Sequence, residues 1–192
     1  TGYTDTSDSQ IPDNEIDQLD IDFVISYFGQ TVGAAYVGRL ADIDGDSLVW
    51  VPDLNITAAN FNVDGVAPVY KRATTETAMA TWSLTRREDR RKLEVEIWAD
   101  DLGGARAYGY RLYYDPTQLI LRSTAPGTAF AARPAVHALR REKDAVAVGA
   151  ALTGDQSGLD GRQLLGTFVF AALQAGAAVE IRDAQWIDAA HQ

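Results

Sequence analysis

The residues best placed to do chemistry are the carboxylates of Asp42-Ile43-Asp44-Gly45-Asp46-Ser47-Leu48-Val49-Trp50-Val51-Pro52-Asp53. Oxygens at loop positions one, three and five, a backbone carbonyl at seven and a carboxylate at twelve are the donors that wrap a hard cation such as Ca²⁺. Here those are Asp42, Asp44, Asp46, the Leu48 carbonyl and Asp53. Val49, at position eight, is the aliphatic that turns inward in such loops. The competing reading is an acidic turn ahead of a capped helix. The inward aliphatic, the position-twelve carboxylate and a following helix together favour Ca²⁺.

Other chemistry has less to build on. His137 and His191 are the only imidazoles and the chain has no cysteine, which leaves a zinc site or a catalytic triad without components. Glu94 and Glu96 lie two apart on one strand face, a spacing that suits outward surface charge better than a pair flanking a glycosidic bond. Ser157-Gly158-Leu159-Asp160-Gly161 lacks the strand, lysine and helix of a phosphate cradle. Trp50, Trp82, Trp98, Trp186 and a ladder of tyrosines would stack sugars only if exposed, whereas their alternation places most of them in a core.

The acidic loop must be positioned by what surrounds it, and a repeat does this. Asp20-Ile21-Asp22-Phe23-Val24-Ile25-Ser26-Tyr27-Phe28-Gly29 aligns at an offset of 33 with Asp53-Leu54-Asn55-Ile56-Thr57-Ala58-Ala59-Asn60-Phe61-Asn62. Apolar groups at i, i+3, i+4 and i+7 predict two short amphipathic helices, each capped by its opening Asp. Gly29 and Asn62 stand where a left-handed residue ends a helix.

On these residues the chain resembles the dockerin domain, a pair of Ca²⁺-loop-plus-helix repeats, over roughly residues 5–62. Asp42, Asp44, Asp46, Val49, Asp53 and Leu54 match its second repeat. Ser47 departs from the usual glycine at position six and predicts strain, and Trp50 at position nine leaves a water where Asp or Asn is common. In the first repeat Asp13, Asp17 and Asp20 fall at positions five, nine and twelve, but Ile11 and Ser9 stand where carboxylates belong. The expectation is a distorted first loop, longer than twelve residues and drawing on Asp5, Ser7 or Asp8, that still holds Ca²⁺; the alternative is a loop that no longer binds metal.

Charge follows the same division. Residues 1–65 carry eleven Asp and one Glu against Arg39, a net of -11, and residues 66–192 carry +1. The total of -10 with a pI near 4.5 argues against nucleic acid, whose phosphates demand a basic stripe. With 46% hydrophobic and 23% charged residues, a packed core is expected. No apolar run reaches the roughly 20 residues of a membrane-spanning helix. Thr1-Gly2-Tyr3-Thr4-Asp5 is neither a basic nor an apolar leader, so any targeting segment is expected to have been removed.

Beyond residue 66 the period changes from 3.6 to 2. Leu93, Val95 and Ile97 alternate with Glu94 and Glu96, and Tyr108, Tyr110, Leu112 and Tyr114 alternate up to the turn Asp115-Pro116. Further strands are expected at 77–85, from 119, and at 145–152, 163–172 and 179–187. About eight short strands with Gly and Pro turns predict an antiparallel β-sandwich or jelly roll. Tyr108–Pro116 with Leu119, Gly149–Gly154 and Leu164–Phe170 make this part similar to the cohesin and carbohydrate-binding-module superfamily. That resemblance implies fold more than activity.

The resulting expectation is a mainly β chain with a small α module: a dockerin-like Ca²⁺-binding module over 1–65, then a cohesin-like sandwich over 66–192. Its expected function is non-catalytic, calcium-dependent protein–protein assembly at a bacterial or archaeal cell surface or outside the cell. Head-to-tail self-assembly into filaments is one form of it, and a foreign cohesin- or dockerin-type module is another partner. The alternative is a cell-surface protein that binds polysaccharide. The basic tip Arg86, Arg87, Arg90 and Arg91 is the expected contact for the acidic module, with Arg140-Arg141-Glu142-Lys143 as a second patch.

Overall fold

The computed structural model describes residues 16–33, 36–62, 81–89, 91–100, 102–154 and 156–188. Asp13, Arg90, His191, the segment 63–80 and hence the start of the strand expected at 77 lie outside them.

Three helices come first: α1 (Gln18–Tyr27), α2 (Tyr36–Ala41) and α3 (Val51–Ala59). The repeat predicts α1 and α3, while the six residues of α2 carry no periodic signal. Both repeat helices stop as expected, since Gly29 and Asn62 have φ of 80° and 61°. Their starts differ from expectation. Asp17 is the N-cap of α1, and Asp20 is three residues on, its carboxylate accepting from the Asp17 N–H at 3.0 Å. Asp53 likewise lies inside α3 and accepts from the Trp50 N–H at 2.8 Å. A carboxylate at the third helical position reaches back to the cap backbone, so Asp20 closes a capping box with Asp17, and Asp53 makes the same reach-back bond alone because the Trp50 indole cannot accept. The two repeats are tied by a short backbone ladder, Gly29 N–H to Val49 C=O and Val49 N–H to Gln30 C=O, and by Asn62 N–H to Ile16 C=O.

Eight strands follow: β1 (Thr81–Asp89), β2 (Lys92–Asp100), β3 (Ala105–Tyr114), β4 (Leu119–Pro126), β5 (Ala135–Arg141), β6 (Ala145–Leu152), β7 (Gln163–Ala172) and β8 (Val179–Asp188). They form two four-stranded antiparallel sheets, β1-β2-β7-β4 and β5-β6-β3-β8, which is the expected sandwich. Strand β5 was not among the expected strands. Between the sheets, Leu93, Val95 and Ile97 meet Tyr108, Tyr110, Leu112, Val146, Val148, Phe168 and Phe170. Rings pack closely there, with Trp82 5.7 Å from Tyr110 and 6.3 Å from Trp186, and Tyr114 5.1 Å from Phe170.

Strand β6 is buried along its whole length because it has two buried faces. Val146, Val148, Ala150 and Leu152 face the opposite sheet, while Ala147 and Ala151 belong to a second apolar cluster with the helices. That cluster joins Ile21, Val24, Phe28, Val51, Leu54 and Ala58 to Ala107, Val136, Ala138 and Ile187. The helical segment therefore forms a third layer, on the outer face of β5-β6-β3-β8.

Candidate functional site: an acidic loop and the sheet face beneath it

The loop folds on its own carboxylates. Asp42 accepts from the N–H groups of Gly45 (2.9 Å) and Ser47 (3.0 Å), Asp44 from that of Asp46 (3.1 Å), and Asp46 from that of Leu48 (2.7 Å). These Asx-type turns bring carboxylate oxygens of Asp42, Asp44 and Asp46 within 4.8 Å of one another, with Asp44 and Asp46 exposed. Ser47 takes a left-handed φ of 75°, so the strain expected of a residue other than glycine is present. Val49 is fully buried, as its position predicts.

Asp53 is placed differently from the other three. It is fully buried, and its Oδ1 accepts from Ile43 N–H (2.6 Å) and Asp44 N–H (3.2 Å) while Oδ2 holds Trp50 N–H. Burial pushes its carboxyl up to about 7, against the lowering pull of the Trp50 N–H; the nearby Asp44 charge adds to the rise. Asp53 thus fastens the two ends of the loop together beneath the three converging carboxylates. The donor set fits a hard cation: three carboxylates converge on one side of a loop closed by its own backbone. In the first repeat, Asp17 and Asp20 are engaged in the capping box, with Asp17 also holding Leu19 N–H at 2.7 Å.

The other side of the loop is a dock. Trp50 and Val51, at loop positions nine and ten, press onto the sheet. Val51 packs over Gly109, and Phe28 over Gly149, where a β-carbon would enter the aromatic ring. Phe28 and Trp50 stack at 4.6 Å and 24°. Arg111 rises from β3 to clamp this pair: its guanidinium lies 4.6 Å from the Trp50 ring, and Nη2 donates to Gly29 C=O at 2.8 Å. The same group reaches Asp183 at 2.8 Å and Glu142 at 3.6 Å. Gly154 N–H donates to Ala58 C=O at 2.9 Å and fixes the far end of α3.

The basic tip occupies the wrong sheet for this contact. Arg86 and Arg87 lie on β1 and Arg91 between β1 and β2, in the sheet away from the helices, and Arg86 pairs with Glu88 at 3.6 Å. Arg111 does the work expected of them. The second basic patch is nearer, since Glu142 meets Arg111 and Arg140 flanks Gly29. The short link leaves the segment two seats, on another copy, which the sequence favours, or on its own sandwich as a compact monomer; the structure shows the second. The sequence signal of this dock is the small-residue row Ala107, Gly109, Ala147, Gly149 and Ala151, set at every second position along β3 and β6.

The aromatic ladder is core. Trp98 and Tyr113 lie outside it on different sheets, each covered by a guanidinium, Arg162 at 4.8 Å and Arg182 at 4.7 Å. Among the described residues no row of open rings lines either face, and no helix is long and apolar enough to cross a membrane.

No family model matches the chain, and the search of curated proteins finds no match. Solved structures similar to it are cohesin modules. A non-cellulosomal cohesin from the archaeon Archaeoglobus fulgidus is 16% identical with a TM-score of 0.47, over 59% of this chain and 82% of that one. The second type II cohesin of the ScaA scaffoldin of Acetivibrio cellulolyticus is 12% identical with a TM-score of 0.47, over 56% and 78%. The cohesin of a Clostridium perfringens family 33 glycoside hydrolase is 11% identical with a TM-score of 0.46, over 59% and 88%. At these values the likeness is one of strand course and carries nothing about binding.

Proposed function

We propose that this chain is a non-catalytic protein–protein assembly module that works outside the cell or at its surface. In it, a Ca²⁺-held loop–helix segment closes over the β5-β6-β3-β8 face of a sandwich. The observation that carries the reading is the continuity of loop and dock: the loop that gathers Asp42, Asp44 and Asp46 runs straight into Trp50 and Val51, which grip the sheet. Asp42, Asp44, Asp46, Asp53 and the Leu48 carbonyl would hold the cation, which would relieve the repulsion of three converging carboxylates. Self-assembly belongs to the same reading, because every copy carries both halves of the contact. The tip at Arg86, Arg87 and Arg91 is left for a further acidic partner.

Isothermal titration tests the cation. The parent should take up Ca²⁺, and Asp44→Ala should bind one ion fewer. An unchanged stoichiometry removes the loop from the reading.

A further inference from the structure

We propose that the cleft between the edge strands β4 and β5 is a binding site for a short, neutral aliphatic molecule with one oxygen, a ketone or alcohol of about four carbons, anchored by the Tyr110 hydroxyl. The site lies between the sheets, on the side of β5-β6-β3-β8 away from the helices, and is independent of the assembly reading.

The strand register leaves this edge open. His137 and Leu139 sit opposite Ala150 and Val148, two residues of the core between the sheets, so both side chains turn inward. Both are nevertheless exposed, Leu139 by 46%. Across the cleft, β4 slips its register against β7 between Leu121 and Ser123 and ends in the exposed Ala125 and Pro126. A bulge bends an edge strand away from its course, and here the two sheets part over a cavity of about 100 Å³.

The lining defines the ligand. Tyr108, Tyr110, Val148, Leu165 and Phe168 make a largely apolar wall, so the occupant is largely apolar. Volume sets its size: an apolar cavity of about 150 Å³ takes benzene, so one of about 100 Å³ takes about four or five heavy atoms. The two tyrosines, both on β3, differ in their hydrogen bonding. Tyr108 Oη donates to Leu165 C=O at 3.2 Å, whereas Tyr110 Oη, fully buried, has no partner among the described residues. Gly166 leaves that hydroxyl its space, since a β-carbon there would lie 2.5 Å from the oxygen. Burial raises the Tyr110 pKa well above the phenol range, so the group stays a donor and calls for an acceptor oxygen. The other titratable lining group is His137, whose pKa is lowered by partial desolvation. Above about pH 7 the wall therefore carries no charge, and a charged ligand would be buried without a counter-ion.

The probes are butanone and, as its oxygen-free counterpart of equal size, n-pentane. Methyl NMR of the parent should show saturable shifts at Val148 and Leu165 with both. Tyr110→Phe removes only the hydroxyl, so it should keep the fold, weaken butanone about fivefold and leave pentane unchanged. Leu139→Trp, at an exposed position, closes the mouth and should abolish both. In the parent, the Tyr110 Cζ resonance should move with butanone and not with pentane, which reads the hydroxyl even where Tyr110→Phe does not fold. The absence of a saturable shift with either probe overturns the site. Equal loss of both probes in a folded Tyr110→Phe, or a Cζ resonance that butanone leaves in place, overturns the anchor and with it the ligand class. Binding that persists unchanged in Leu139→Trp puts the ligand elsewhere and overturns the proposal as well.

Discussion

At the scale of single residues, Arg111 and Asp53 do most to hold the site. Arg111 carries two charge-assisted hydrogen bonds at 2.8 Å and a ring contact with little solvent exposure. Arg111→Met keeps the aliphatic stem and removes the fork. It should lower the stability of the helical segment by about 1.5–3 kcal/mol in urea titrations followed by the helical circular-dichroism signal. Arg111→Lys should recover little, because an ammonium cannot serve Gly29, Asp183 and the Trp50 ring from one plane. Asp53 differs from its neighbours in kind. Asp53→Ala leaves three backbone N–H groups without their acceptor, so it should reduce the helical signal in EDTA as well as in Ca²⁺, by about 1–3 kcal/mol. Asp44→Ala removes one exposed turn hydrogen bond, from Asp46 N–H, so in EDTA it should cost less than Asp53→Ala, and its main effect should come when Ca²⁺ is present. Equal effects of the two substitutions in EDTA would show that Asp53 is no more structural than Asp44.

At the scale of elements, the two repeat helices were legible because i, i+3, i+4, i+7 spacing and left-handed terminators agree. Strands β6 and β7 were legible to the residue because apolar runs end at turn signals. Strand β5 escaped because Ala135-Val136-His137-Ala138-Leu139-Arg140-Arg141 ends in charge, which reads as a loop tip. The dock escaped for a related reason. A face made of Ala and Gly has no hydrophobic signature of its own, yet in Ala145-Val146-Ala147-Val148-Gly149-Ala150-Ala151-Leu152 a strand with no polar residue can only be covered on both sides. The loop carboxylates were readable from spacing, but the burial of Asp53 was not, because it depends on where Trp50 packs. The helices are nine and ten residues long and owe their persistence to tertiary contacts and to the loop. Excess EDTA should therefore weaken the helical signal and leave the strand signal in place; a spectrum untouched by chelation would show that no cation holds this layer. Leu54→Ala, which opens a cavity in the shared cluster, should cost about 2–4 kcal/mol, read by urea denaturation of the helical signal.

At the scale of the whole molecule, three layers share two apolar clusters, and the outer cluster has no floor without the sheet. Removing residues 1–62 should bare Ala107, Val136, Ala138, Ala147, Ala151 and Ile187 as one patch. Such a sandwich should bind an apolar dye and scatter light with rising concentration. If it stays dye-silent and monomeric, the sheet face is indifferent to its cover. The order of the layers along the chain also bears on how the protein is made. The helices are synthesised first, yet their floor is completed by Ile187, about 130 residues after Ala58. At roughly 5–20 residues per second, a nascent helical segment waits on the order of ten seconds for the surface it needs.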